Sequence, residues 1–101
     1  MRKQEPLIIV ATPNVCWLHP EVTFPKNAKE IAEEAALCRE AGATVLHTHA
    51  EGQWREVYES VRGACDIILQ GGMSSIPLQE RIELFEMKYD MESIIENHHA
   101  E

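Results

Sequence analysis

Two histidines separated by a single residue, His47 and His49, are the side chains of this sequence best placed to do chemistry. They end the run Ala43-Thr44-Val45-Leu46-His47-Thr48-His49, which reads as a β-strand finishing in polar residues. Side chains alternate along a strand, so Val45, His47 and His49 share one face while Leu46 and Thr48 take the other. The two histidine Cα atoms then lie roughly 6.6 Å apart. Imidazoles leaning together at that spacing can reach one ion at about 2.0–2.1 Å each. The chemistry this offers is the binding of a metal ion. A pair of hydrogen-bonded histidines lining a polar strand end is the plainer alternative, and the spacing alone leaves both open.

Other residues could complete a site around that pair. Gly71 and Gly72 follow an apolar run and precede Met73, Ser74 and Ser75, which lead into a helix. Amides and hydroxyls at a helix N-terminus suit a carboxylate or phosphate. A tight turn needing two φ-permissive residues explains the glycines equally well. The Gly-Lys-Ser/Thr ending of a P-loop is absent. Asn97 and His98, followed by His99, come after a further apolar run and are expected at the same mouth of the fold, unless they belong to a frayed terminus. Cys16 and His19 could form a nucleophile and its base, but nothing in the sequence orients them. Glu33, Glu34, Glu56 and Glu59 read as solvated helix faces, and Trp54 and Tyr58 as packing residues.

Positioning such residues requires alternating strands and helices. Leu7 to Ala11 is a continuous apolar run, the pattern of a strand covered on both faces. A loop from Thr12 to Pro25 follows, broken by Pro13, Asn14, Pro20 and Pro25. Asn27 can cap a first helix, with Glu30 placed as in a capping box. Its apolar stripe is Ala28, Ile31, Ala35, Cys38 and Ala41, and Gly42 stands where a left-handed C-terminal residue belongs. After the histidine strand, Trp54, Val57, Tyr58 and Val61 define a second helix closed by Gly63. Asp66 to Gln70 is a third strand ending at the two glycines. Ser74, Ser75 and Pro77 signal a third helix start, with Leu78, Ile82 and Phe85 as its inner face. Tyr89-Asp90 ends that helix, and Met91 to Ile95 reads as a fourth strand.

The order β-α-β-α-β-α-β with short connections implies an α/β fold of parallel strands joined by right-handed crossovers. An open doubly wound sheet and the first half of a TIM (β/α)8 barrel, four strands and three helices over residues 1–101, both fit. A half-barrel would leave two unpaired edges, so an N-terminal fragment, or pairing with a second half, is expected. The pair His47 and His49 follows a complete βα unit and precedes a helix, which puts it at the carboxyl end of its strand, where βα folds keep their active sites.

Composition narrows the function classes. Seventeen acidic residues against nine basic ones give a formal net charge of −8, the wrong sign for a nucleic-acid surface. No apolar run approaches a membrane span, and the stretch after the charged start is too short for a signal peptide. Three separated cysteines, Cys16, Cys38 and Cys65, are expected to be reduced thiols in a cytoplasmic protein.

Pro6-Leu7-Ile8-Ile9-Val10-Ala11, Lys29-Glu30-Ile31-Ala32-Glu33-Glu34-Ala35 and Ala41-Gly42-Ala43-Thr44-Val45-Leu46-His47-Thr48-His49 together closely resemble the beginning of the β-keto acid cleavage enzymes, whose namesake acts on 3-keto-5-aminohexanoate. Asp66-Ile67-Ile68-Leu69-Gln70, the glycine pair and Gln79-Glu80-Arg81 continue the likeness. The resemblance implies a (β/α)8 barrel holding a divalent metal, usually zinc. It implies a transferase that exchanges acyl groups between a 3-keto acid and acetyl-CoA, giving acetoacetate and a new CoA thioester. It implies His47 and His49 as metal ligands, with a third ligand, a glutamate, on a later strand. Gly71, Gly72, Ser74, Ser75, Asn97 and His98 are the expected substrate contacts, and a homo-oligomer is the expected assembly. Glu51 stands where the family commonly has an arginine. Trp17 stands near the position of a glutamate that binds the amine of the amino-keto substrate, which implies a different keto acid here. An amidohydrolase-type metal hydrolase, and a non-catalytic half-barrel that binds metal or packs with itself, are the alternatives.

Overall fold

The computed structural model describes residues 7–14, 21, 23–50, 52–72, 77–87 and 89–93. Its elements are β1 (Val10–Ala11), α1 (Ala28–Glu40), β2 (Val45–Thr48), α2 (Trp54–Ala64), β3 (Ile68–Gly72), α3 (Leu78–Glu86) and β4 (Met91–Ser93). The four strands form one sheet in the order β1-β2-β3-β4, every pair parallel. That order separates the two architectures the sequence permits. A doubly wound sheet reverses its strand order and so puts helices on both faces. Sequential parallel strands with right-handed crossovers put every helix on the same face, as in half of a (β/α)8 barrel.

The core lies between the helices and that one face. Leu46 and Leu69, fully buried and adjacent in register, pack with Ile31 and Ala35 of α1, Val57 and Val61 of α2, and Leu84 of α3. Burying each such Leu or Val contributes about 1.5–3 kcal/mol relative to exposure. Trp54 and Tyr89 close the layer edge-to-face at 5.9 Å, and the Tyr89 hydroxyl donates to the Trp54 carbonyl at 2.7 Å. Burial pushes the Tyr89 hydroxyl pKa well up, so it stays a donor.

The helix ends follow the local chemistry of the sequence. Asn27 Oδ1 accepts from the Glu30 amide at 2.9 Å, while Glu30 Oε2 accepts from the Lys26 amide at 2.6 Å, one residue earlier than a capping box would have it. Gly42 leaves α1 at φ +114°, a left-handed conformation that favours glycine. α2 runs through Gly63 to Ala64 instead of closing on the glycine.

Two expectations about covering are corrected. Leu7 to Ile9 precede β1 and are exposed, Leu7 by 83%, and β1 itself pairs with β2 alone among the described residues. Leu78, Ile82 and Phe85 also face outward, and the inner face of α3 is carried by Leu84. The sheet sets this rotation: a methyl on Gly71 would lie 3.3 Å from Leu84 Cδ2, so the missing side chain is the seat Leu84 fills.

At the opposite end of the strands, Asp90 ties three elements. It accepts from the Leu69 amide at 2.8 Å and pairs with Arg62, whose guanidinium also donates to the Ile67 carbonyl at 2.8 Å. Burial alone would raise the Asp90 carboxyl. The Leu69 hydrogen bond and Arg62 outweigh it and hold the pKa below the usual carboxylate range. Among the described residues, no helix is long and apolar enough to cross a membrane.

Candidate metal centre

Strand alternation sends Leu46 and Thr48 into the helix layer, both fully buried, and leaves His47 and His49 on the sheet face that carries no helices. His47 lies within β2, and His49 is the first residue beyond it. Their rings meet edge-to-face with centroids 5.1 Å apart.

Each histidine is held by a carboxamide from a neighbouring strand or strand end. His47 pairs in register with Gln70 of β3, and its Nδ1 lies 2.7 Å from Gln70 Oε1. A carboxamide oxygen only accepts, so Nδ1 is the donor in this pair and Nε2 is the ring nitrogen it leaves uncommitted. On the β1 side, Asn14 grips the backbone of His49. Its Nδ2 donates to the His49 carbonyl at 2.6 Å and its Oδ1 accepts from the His49 amide at 2.9 Å. The same oxygen accepts from the Thr48 hydroxyl at 3.3 Å.

Gly72, two residues beyond Gln70 and on the same face, forms the floor of the pair. A Cβ there would lie 2.6 Å from His49 Cε1, 2.7 Å from His49 Nδ1 and 3.0 Å from His47 Nε2. The two ring nitrogens thus look onto one small space that any side chain at Gly72 would fill. Neutral imidazole nitrogens converging from one strand suit a borderline cation such as zinc. The Gln70–His47 contact supplies the outer-shell hydrogen bond that such ligands need. No third His, Cys, Asp or Glu joins them among the described residues.

The glycine pair therefore has a different cause from the turn the sequence suggests. Both glycines are the last residues of β3, and neither has a positive φ. Their α-carbons face opposite ways, Gly71 against Leu84 and Tyr89 in the helix layer, Gly72 against the two imidazoles. Ser74, Ser75, Asn97 and His98 lie outside the described residues, as do Cys16, Trp17, His19 and Glu51. Trp54 packs in the core, and Glu33, Glu34, Glu56 and Glu59 are exposed, as their spacing suggests. Sequence reasoning did not single out Asn14 or Gln70. A polar residue late in an otherwise apolar strand is the signal that could have marked Gln70.

The family model described as beta-keto acid cleavage enzyme matches residues 6–97. The chain belongs to the beta-keto acid cleavage enzyme family. The match takes in every strand and helix described above, from β1 to β4. Members of this family are enzymes, and the half-barrel places His47 and His49 at the strand ends where βα enzymes work. No curated protein and no solved structure matches the chain.

Proposed function

We propose that His47 and His49 are two ligands of a divalent metal, zinc in the first instance, in an acyl-exchanging β-keto acid cleavage reaction. A 3-keto acid and acetyl-CoA would be converted to acetoacetate and a new CoA thioester. The bond between C2 and C3 of the keto acid breaks, the C3 acyl group passes to CoA, and the two-carbon remainder joins the acetyl group. Carrying this reading is the convergence of His47 Nε2 and His49 Nδ1 over Gly72, in a chain of this family.

When bound, the metal supplies Lewis acidity to the keto oxygen through a coordination position left open to substrate. The residues of this chain prepare that position. Gln70 keeps the His47 proton on Nδ1, so Nε2 is free to ligate. Gly72 keeps the space between the rings clear. A remaining ligand is assigned to a carboxylate outside the described residues. The segment after β3, with Gly72, Ser74 and Ser75, is proposed to hold the substrate carboxylate. Asn97 and His98 follow β4 and are proposed to share that mouth.

Zinc content and acetoacetate formation, measured together on the complete protein, test this. Chelation should abolish acetoacetate formation from a panel of 3-keto acids with acetyl-CoA, and zinc should restore it. His47→Ala and His49→Ala should each lose both metal and turnover. Full turnover in either variant, or in the stripped protein, would overturn the proposal.

A further inference from the structure

His49 raises a problem of support that its position in the sheet makes plain. The amides of Thr44 and Val45 both donate to the Ile9 carbonyl, at 3.0 Å and 3.3 Å, which ties the start of β2 to the β1 side. His49, one residue beyond β2, turns its N–H and C=O toward Asn14, on the β1 side. Pairing between β1 and β2 has already ended there, at Ala11 and Leu46. Among the described residues the β1–β2 ladder stops short of His49, and its imidazole is only as well placed as its backbone.

Asn14 fills the gap. A carboxamide carries one donor and one acceptor side by side, like a peptide group, and Asn14 presents both to the two backbone groups of the same residue. It is buried, 8% exposed, so water does not compete for the contact. The side chain continues the β1 edge by one peptide-like unit, three residues after the strand itself stops.

We propose that Asn14 is a positioning residue of the metal centre, holding His49 in its ligating pose through hydrogen bonds to both its N–H and its C=O. The inference rests on the reading of His47 and His49 as metal ligands. Outer-shell partners of this kind are worth about 10–100-fold in metal affinity. The test is zinc affinity of the complete protein by chelator competition, with cobalt absorption as a report on ligand geometry and melting of the metal-free protein as control. Asn14→Ala should bind zinc at least about tenfold more weakly and show an altered cobalt spectrum. Asn14→Thr keeps one hydroxyl but cannot span both groups, and should fall between Asn14→Ala and the wild type. If Asn14→Ala does not fold, the Asn14→Thr loss decides alone. Unchanged zinc affinity and cobalt spectrum in the folded variants would overturn the role of Asn14 while leaving the metal reading intact. A wild-type protein that binds no zinc would overturn both.

Discussion

His47 and Gln70 face one another across β2 and β3 as register partners, and the hydrogen bond between Nδ1 and Oε1 is 2.7 Å long. On the proposed reading this contact leaves Nε2 as the nitrogen of His47 that ligates, because Nδ1 donates to Gln70. Nε2 is the nitrogen that looks onto the space above Gly72.

Replacing Gln70 therefore separates the hydrogen bond from the bulk of the side chain. Gln70→Leu keeps most of the volume and removes the acceptor, and zinc affinity should fall by about 10–100-fold. Gln70→Glu offers a carboxylate oxygen at the same place and should keep or strengthen binding, since a carboxylate raises ligand basicity. Zinc titration of both variants checks this. Equal affinity in Gln70→Leu and the wild type would remove Gln70 from the site.

The two glycines of β3 should respond differently to the same change. In Gly72→Ala the new methyl lies 2.6 Å from His49 Cε1, 2.7 Å from His49 Nδ1 and 3.0 Å from His47 Nε2, with the His47 ring bonded to Gln70 and the His49 backbone to Asn14. One or both imidazoles must turn, so zinc binding should be lost while the protein still folds. In Gly71→Ala the methyl meets Leu84 at 3.3 Å and Tyr89 at 3.4 Å in the packed layer. Overpacking there should cost about 1–3 kcal/mol of stability and leave zinc binding in place. Denaturant melts and metal titrations on the same two proteins distinguish these outcomes.

How much of this was legible beforehand depended on the range of the interaction. Strand alternation placed His47 and His49 on one face, and the Asn27 cap and the Gly42 exit from α1 were readable, because each is set within a few residues. The order of the strands in the sheet was not readable, since βαβ connectivity serves a doubly wound sheet and a barrel alike. Gly71 and Gly72 announced a need for smallness without saying whether the need was torsional or spatial. The amphipathic stripe of α3 showed which side is apolar, but its rotation was set by a seat at Gly71, a residue of another element. Asn14 and Gln70 lie 35 and 23 residues from the groups they hold, and only the register of the strands brings them there.

Asp90 gives the fold a dependence on acid. Its pKa is lower in the folded protein than in the unfolded chain, because the Leu69 amide and Arg62 favour the charged form against the opposing effect of burial. Its stabilisation is full above the unfolded value and is lost as pH falls through the folded one. Asp90→Asn should cost about 1 kcal/mol near neutral pH, a modest figure because the pair is partly exposed. The gap between variant and wild type should close as the pH is taken below the ordinary carboxylate range. A gap that persists unchanged in acid would mean the charge of Asp90 is not what ties α2, β3 and β4.

Leu84 provides the test of how α3 is rotated. It is fully buried, close to the space above Gly71, whereas Phe85 beside it in sequence is 60% exposed. Leu84→Ala should remove about 2–5 kcal/mol, the range for deleting a buried leucine side chain and leaving part of the cavity open. Because Gly71 lies beside the space Leu84 leaves, the double variant Gly71→Ala, Leu84→Ala should be more stable than the sum of the single losses predicts. Strict additivity in a double-mutant cycle would show that the two residues do not share that seat, and that α3 sits on the sheet by some other face.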